Sequence, residues 1–149
     1  MGVIANHLSA EDLIAIQIAA QVPEFKKIYH AGDLAEIEET AQIVPACHIL
    51  YGGDFPGGTA GRNTATRVDQ HWQLFIAVKL LKTAKTARQE AGALITKTIE
   101  ALSGWQPSPD HGPLAFLPSG QEPGYGPGFA YFPLRFSTEV VTKGTQANP

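Results

Sequence analysis

One cysteine in 149 residues, Cys47, cannot form an internal disulfide, which suits a chain made and used in a reducing compartment. No apolar run approaches the ~20 residues that a bilayer crossing needs. The opening Met1-Gly2-Val3-Ile4-Ala5-Asn6-His7 lacks a basic stretch leading into an apolar one, so it does not read as a secretory signal. Asn6 also stands where a myristoylation motif wants Ser or Thr. These gaps lead to the expectation of a soluble cytoplasmic protein with no membrane partner. Charge is scarce as well, at 17% of residues and a net value of -3. That balance offers no global field to nucleic acid or to an anionic surface.

The sign of the charge is nevertheless uneven along the chain. From Ser9 to Thr40 seven acids face two lysines, a balance of -5; from Arg62 to Lys97 seven bases face two acids, a balance of +5. Each stretch reads first as a solvated face. Together, an acidic flank around Glu36, Glu38 and Glu39 and a basic flank around Arg62, Arg67 and Arg88 would suit head-to-tail contact between copies.

With 44% hydrophobic residues the length fits one domain over 1–149, large enough to bury a core without metal or disulfide. Residues 1–8 and 143–149 have little to bury and are expected to fray. Ser9-Ala10-Glu11-Asp12 has the form of a capping box, opening a short helix that Val22-Pro23 ends. Phe25 to His30 suggests a short strand, and an acidic helix is expected from Leu34 to Thr40. Pro45 introduces a strand from Ala46 to Tyr51. The glycine-rich stretch Gly52 to Gly61, with Asp54 and Phe55 inside it, reads as the mobile tip of a long β-hairpin.

Thr66 to Lys82 alternates Val68, Gln70, Trp72, Leu74, Ile76 and Val78 against Arg67, Asp69, His71, Gln73, Phe75 and Ala77. Period-2 alternation of this kind marks a half-buried strand. Thr86 to Leu102 carries a helical stripe of Ala87, Ala91, Leu94, Ile95, Thr98 and Leu102, and Gly104 stands where a left-handed C-terminal cap belongs. A short strand over Pro113 to Pro118, a Gly/Pro-rich turn to Gly128 and a long strand from Phe129 to Thr142 complete the chain. Pro133 within that strand suggests an edge or a bulge. The fold class expected is α+β: an antiparallel sheet of about four strands, helices on one face, and a long hairpin with a Gly-rich tip.

No catalytic constellation can be read from the chain. The glycine-rich stretch lacks the Lys-Ser/Thr pair of a phosphate loop and leads into a strand. The five histidines have no metal-ligand spacing, and neighbours Cys47 and His48 point to opposite faces of a strand. No nucleophile elbow is present, and the basic stretch lacks interleaved stacking aromatics for single-stranded nucleic acid. Neither metal nor cofactor is expected, and the chain does not read as an enzyme.

Gln70-His71-Trp72-Gln73-Leu74-Phe75-Ile76-Ala77-Val78 leads into a helix ending Ala101-Leu102-Ser103-Gly104-Trp105-Gln106-Pro107. Pro113-Leu114, a turn from Gly124 to Gly128, and Tyr131-Phe132-Pro133-Leu134-Arg135-Phe136-Ser137-Thr138 follow. In this order, with Val44-Pro45-Ala46 upstream, the chain resembles the tail terminator proteins of tailed phages and Mu-like prophages over most of 22–142. The resemblance implies a virion protein at the neck-proximal end of the tail, assembled in the host cytoplasm. It implies a homo-oligomeric ring, a hexamer in the family, that caps the tail tube protein and stops its polymerisation. The ring meets a neck or connector protein, and in contractile tails the sheath, and DNA passes through it without sequence-specific contact. The alternative is another neck or head–tail completion protein. Asp54, Phe55, Arg62, Arg67, Arg88, Glu36, Glu38 and Glu39 are the expected partner-binding residues.

Overall fold

A computed structural model describes residues 2–30, 41–59, 65–80 and 83–144. Helix α1 spans Ala10–Gln21. Ala10, Ile14, Ile18 and Val22 recur every four residues and are fully buried, each aliphatic side chain contributing ~1.5–3 kcal/mol by leaving water. Ser9 is not the expected capping residue: it is itself helical and its side chain makes no cap bond. Its hydroxyl lies 3.4 Å from Nε2 of His111 instead. Helix α2 spans Ala84–Leu102, with a true cap at Thr83, whose Oγ1 accepts from the Thr86 amide at 3.2 Å. Ala87, Ala91, Leu94, Thr98 and Leu102 are buried as the stripe requires, and the Thr98 hydroxyl is satisfied by donating to the Leu94 carbonyl. Gly104 has φ +81 at the expected left-handed position.

The strands are β1 (Lys27–His30), β2 (Ala46–Thr59), β3 (Ala65–Lys79), β4 (Ala115–Leu117), β5 (Gly124–Gly126) and β6 (Phe129–Lys143). Their order is β1-β2-β3-β6-β4, with β5 also on β6. The α+β class stands. The sheet is larger than about four strands, and it is mixed, because β1 runs parallel to β2. The turn region before Gly128 hides β5, where Gly-Tyr-Gly offers one side chain and no alternation to read.

Three further expectations change. The glycine-rich stretch is not a hairpin tip as far as Thr59: it continues β2 and pairs with β3, with register shifts after Tyr51 and Pro56. A ladder is made of backbone groups, so glycine can join it, and at Gly57 a Cβ would come within 3.0 Å of the Arg67 carbonyl oxygen. β6 is no edge strand, since β3 pairs with it along its length and β4 and β5 pair on its other side. Pro133 falls in the gap between Tyr131, opposite β5, and Arg135, opposite β4, where a missing N–H removes no bond from either short strand. The N-terminal residues are held: Val3 bridges Val141, and the Ile4 amide donates to the Val141 carbonyl at 2.9 Å. Lys143, also placed in a fraying end, closes β6 opposite Ala65.

Trp72, Leu74, Ile76 and Val78 of β3 meet Phe132, Leu134 and Phe136 of β6 beneath α1 and α2. A smaller cluster of Tyr29, Ala46 and Ala77 lies on the opposite face, with Val44 and Tyr131 beside it. The expected helix from Leu34 to Thr40 lies outside the described residues.

Candidate interaction site

The distal halves of β2 and β3 bring together the first of the expected contact residues. Asp54 accepts a hydrogen bond from His7 Nε2 at 2.6 Å. Partial burial raises the Asp54 carboxyl, but hydrogen bonds from Tyr51 and His7 outweigh it and hold the group below the ordinary carboxylate value. Tyr51 moves the other way: desolvation and then the Asp54 carboxylate push its phenol up to about 12. Beneath them Gln70 is fully buried with both amide ends used. Its Nε2 donates to the His7 carbonyl at 2.7 Å, and its Oε1 accepts from Trp72 Nε1 at 2.9 Å.

Phe55 lies on the opposite face of the sheet, 46% exposed, with its ring 4.0 Å from that of His71. Burial and the nearby Arg135 charge lower the His71 pKa, against the opposing pull of Asp69. His71 Nδ1 and Arg135 Nε are both buried without a hydrogen-bond partner.

Arg67 is exposed on β3 near Asp54 and Phe55, whereas Arg88 is exposed on α2. Arg67 and Lys79 are twelve residues apart on one strand, ~40 Å at ~3.3 Å per residue, and α2 begins just past Lys79. The described bases therefore do not share one flank. Arg62, Glu36, Glu38 and Glu39 lie outside the described residues.

Groups with chemical potential elsewhere are built into the fold. His111 is fully buried, its Nδ1 2.7 Å from Ser108 Oγ and its Nε2 facing Ser9 Oγ. A serine beside an imidazole has the parts of a nucleophile and base, yet no substrate atom can reach a ring with no exposed surface. Cys47 is fully buried too, and burial pushes its thiol well up, away from the reactive thiolate. As expected, His48 takes the other face, stacked on Tyr29 at 4.9 Å and donating to Gln42 Oε1 at 3.1 Å. Spacing in the sequence missed one grouping: Glu11, Asp12 and His30 bring three ligand-type atoms within 4.8 Å of one another. His30 Nδ1 donates to Glu11 Oε2 at 2.9 Å, and both carboxylates occupy the first turn of α1, where the helix end favours negative charge. An open cleft of about 400 Å³ is lined by Lys26, Ile43, Lys79, Glu90 and Phe129 among others.

The expected contact residues that are described thus lie on an aromatic and charged distal sheet, open on one face. Comparison with known families matches the chain over residues 4–147 to the family described as phage tail terminator protein. A search of curated proteins returns no match.

Proposed function

Because the chain belongs to the phage tail terminator family, and so is a structural component of the virion acting in tail completion, we propose that it assembles into a homo-oligomeric ring. The ring caps the head-proximal end of the tail tube and stops tube polymerisation. Its opposite surface meets the neck or connector, and in a contractile tail its rim meets the sheath. DNA passes through the opening, held by no base-reading contact.

The observation that carries this reading is the extent of the family match, which spans nearly the whole chain, 4–147. A match over one motif would support only a shared element; a match to the family along 4–147 supports a role shared with that family. The physical features agree with it. Phe55 and Tyr51 are part-exposed aromatics on opposite faces of the distal sheet, and each leaves apolar area for a partner to cover. The acidic stretch around Glu36, Glu38 and Glu39 and the bases Arg62, Arg67 and Arg88 supply opposite charges for steering copies together.

Negative-stain imaging of the purified protein, alone and mixed with tail tube, tests the proposal. Rings in the first sample and rings seated at one end of length-limited tubes in the second are expected. Tubes that keep growing in its presence would overturn the capping role.

A further inference from the structure

A single row of aromatic side chains crosses the sheet on its helix-covered face. Tyr51 of β2 opposes Trp72 of β3, Trp72 opposes Phe136 of β6, and Phe136 opposes Phe116 of β4. Ring centroids are 5.5 Å apart at the Tyr51 end and 5.4 Å apart at the Phe116 end. The two inner rings are fully buried, while Tyr51 is 39% and Phe116 42% exposed. Facing aromatics on neighbouring strands stabilise a sheet, so the row is half-satisfied at each of its ends.

Both ends lie beside backbone that no further strand covers among the described residues. β4 is the last strand on its side of the sheet, and the bonds that Gly104 and Trp105 make to its outer side stop at Leu114, one residue ahead of it. On the other side β1 accompanies β2 only to Ile49, and among the described residues no strand pairs with the outer side of β2 from Leu50 onward. The directions also fit. β4 is antiparallel to β6, β6 to β3 and β3 to β2, so β4 and β2 run in opposite directions. Set side by side with the same face up, they form a further antiparallel pair, and the alternation of the sheet continues unbroken.

We propose that the β4 edge of one copy adds to the β2 edge of the next, packing Phe116 of the first against Tyr51 of the second. The occupant of each edge is thus a second copy of this chain. Strand addition supplies backbone hydrogen bonds, and the aromatic contact fixes the register. Joining two different edges is a head-to-tail contact, which repeats from copy to copy and closes when the rotation permits. The irregularity at Gly52 and the missing donor at Pro56 keep the pairing short, a common guard on exposed edges. This inference rests on the ring reading and assigns its interface.

Full-length chains carrying Tyr51→Cys or Phe116→Cys test it, since buried Cys47 stays out of surface chemistry. When the two variants are mixed and oxidised, a disulfide-linked pair of one each is expected, with neither variant cross-linking alone. A chain carrying both changes should give a series of linked multimers ending at the ring. Phe116→Asp, with its melting checked against wild type, should lose the ring in sedimentation velocity. If wild type forms rings but Tyr51→Cys and Phe116→Cys do not link, or each links to itself, the edge contact is wrong and the ring stands. A wild-type chain that stays monomeric at every concentration overturns both.

Discussion

His111 sits fully buried between Ser9 and Ser108, and desolvation lowers its pKa despite the opposing charge of Asp110. The native state therefore holds the ring neutral, while the unfolded chain takes a proton below the ordinary imidazole value of ~6.5. With the folded pKa depressed, this contribution is complete above that value and is lost as pH falls from it toward the folded pKa. Urea unfolding at pH 7.5 and 5.5 should show the loss, and His111→Gln should flatten the slope, leaving the part due to His71, which is shifted the same way. Phe136, fully buried in the aromatic row, should cost ~3–5 kcal/mol on truncation to Ala, read from the same unfolding curves. The two residues differ in how far the sequence discloses them. Phe136 follows from the period-2 alternation of its strand, because a sheet face exposes its own pattern. The surroundings of His111 depend on Ser9, more than a hundred positions away, and no local pattern encodes that meeting. Ser9 shows the converse, a capping signature whose hydroxyl is drawn to a tertiary partner instead.

Elements with strong internal periodicity were legible, and those defined by their neighbours were not. β3 and α2 each carry enough apolar repeats to announce both their type and their buried face. β5 and the outer half of β2 have almost none: their residues become strand because β6 and β3 offer a ladder. The parallel pairing of β1 is equally invisible, since a strand of four residues fits either direction. The start of α2 allows a local test. Thr83 caps the helix through Thr86, so Thr83→Ala should lower stability by ~1 kcal/mol, measured by thermal or urea unfolding. For β2, hydrogen exchange should separate the two sides of one strand. Amides directed at β3 should be slow in the isolated subunit, whereas those on the outer side from Leu50 to Phe55 should exchange fast and slow down on assembly. Uniform protection of both sides in a verified monomer would contradict an open β2 edge.

In the assembled molecule, opposite charges contribute through number rather than through any one pair. An exposed pair is worth only ~0.2–1 kcal/mol, and the screening length falls to ~3 Å at 1 M salt. If the stretch containing Glu36, Glu38 and Glu39 meets Arg67 or Arg88 of a neighbour, reversing the three glutamates to lysine should weaken the ring at low salt. Sedimentation velocity across a salt series would show it, and a ring indifferent to both reversal and salt would assign the stability to strand edges and apolar contact. The sequence disclosed this charge asymmetry but not its geometry, because β3 carries Arg67 and Lys79 to opposite ends of the sheet. A different property of the whole molecule follows from the buried amide of Gln70. One end of that amide holds the His7 carbonyl and the other holds the Trp72 indole, so the N-terminal segment and the deepest chromophore share a single side chain. Trp72 is thereby wired as an optical gauge of its own chain's first residues. Lifting that segment, by truncation or by a partner that displaces it, strips the indole of its acceptor's anchor and opens a path for water, so the emission of Trp72 moves to the red while the helices remain in place.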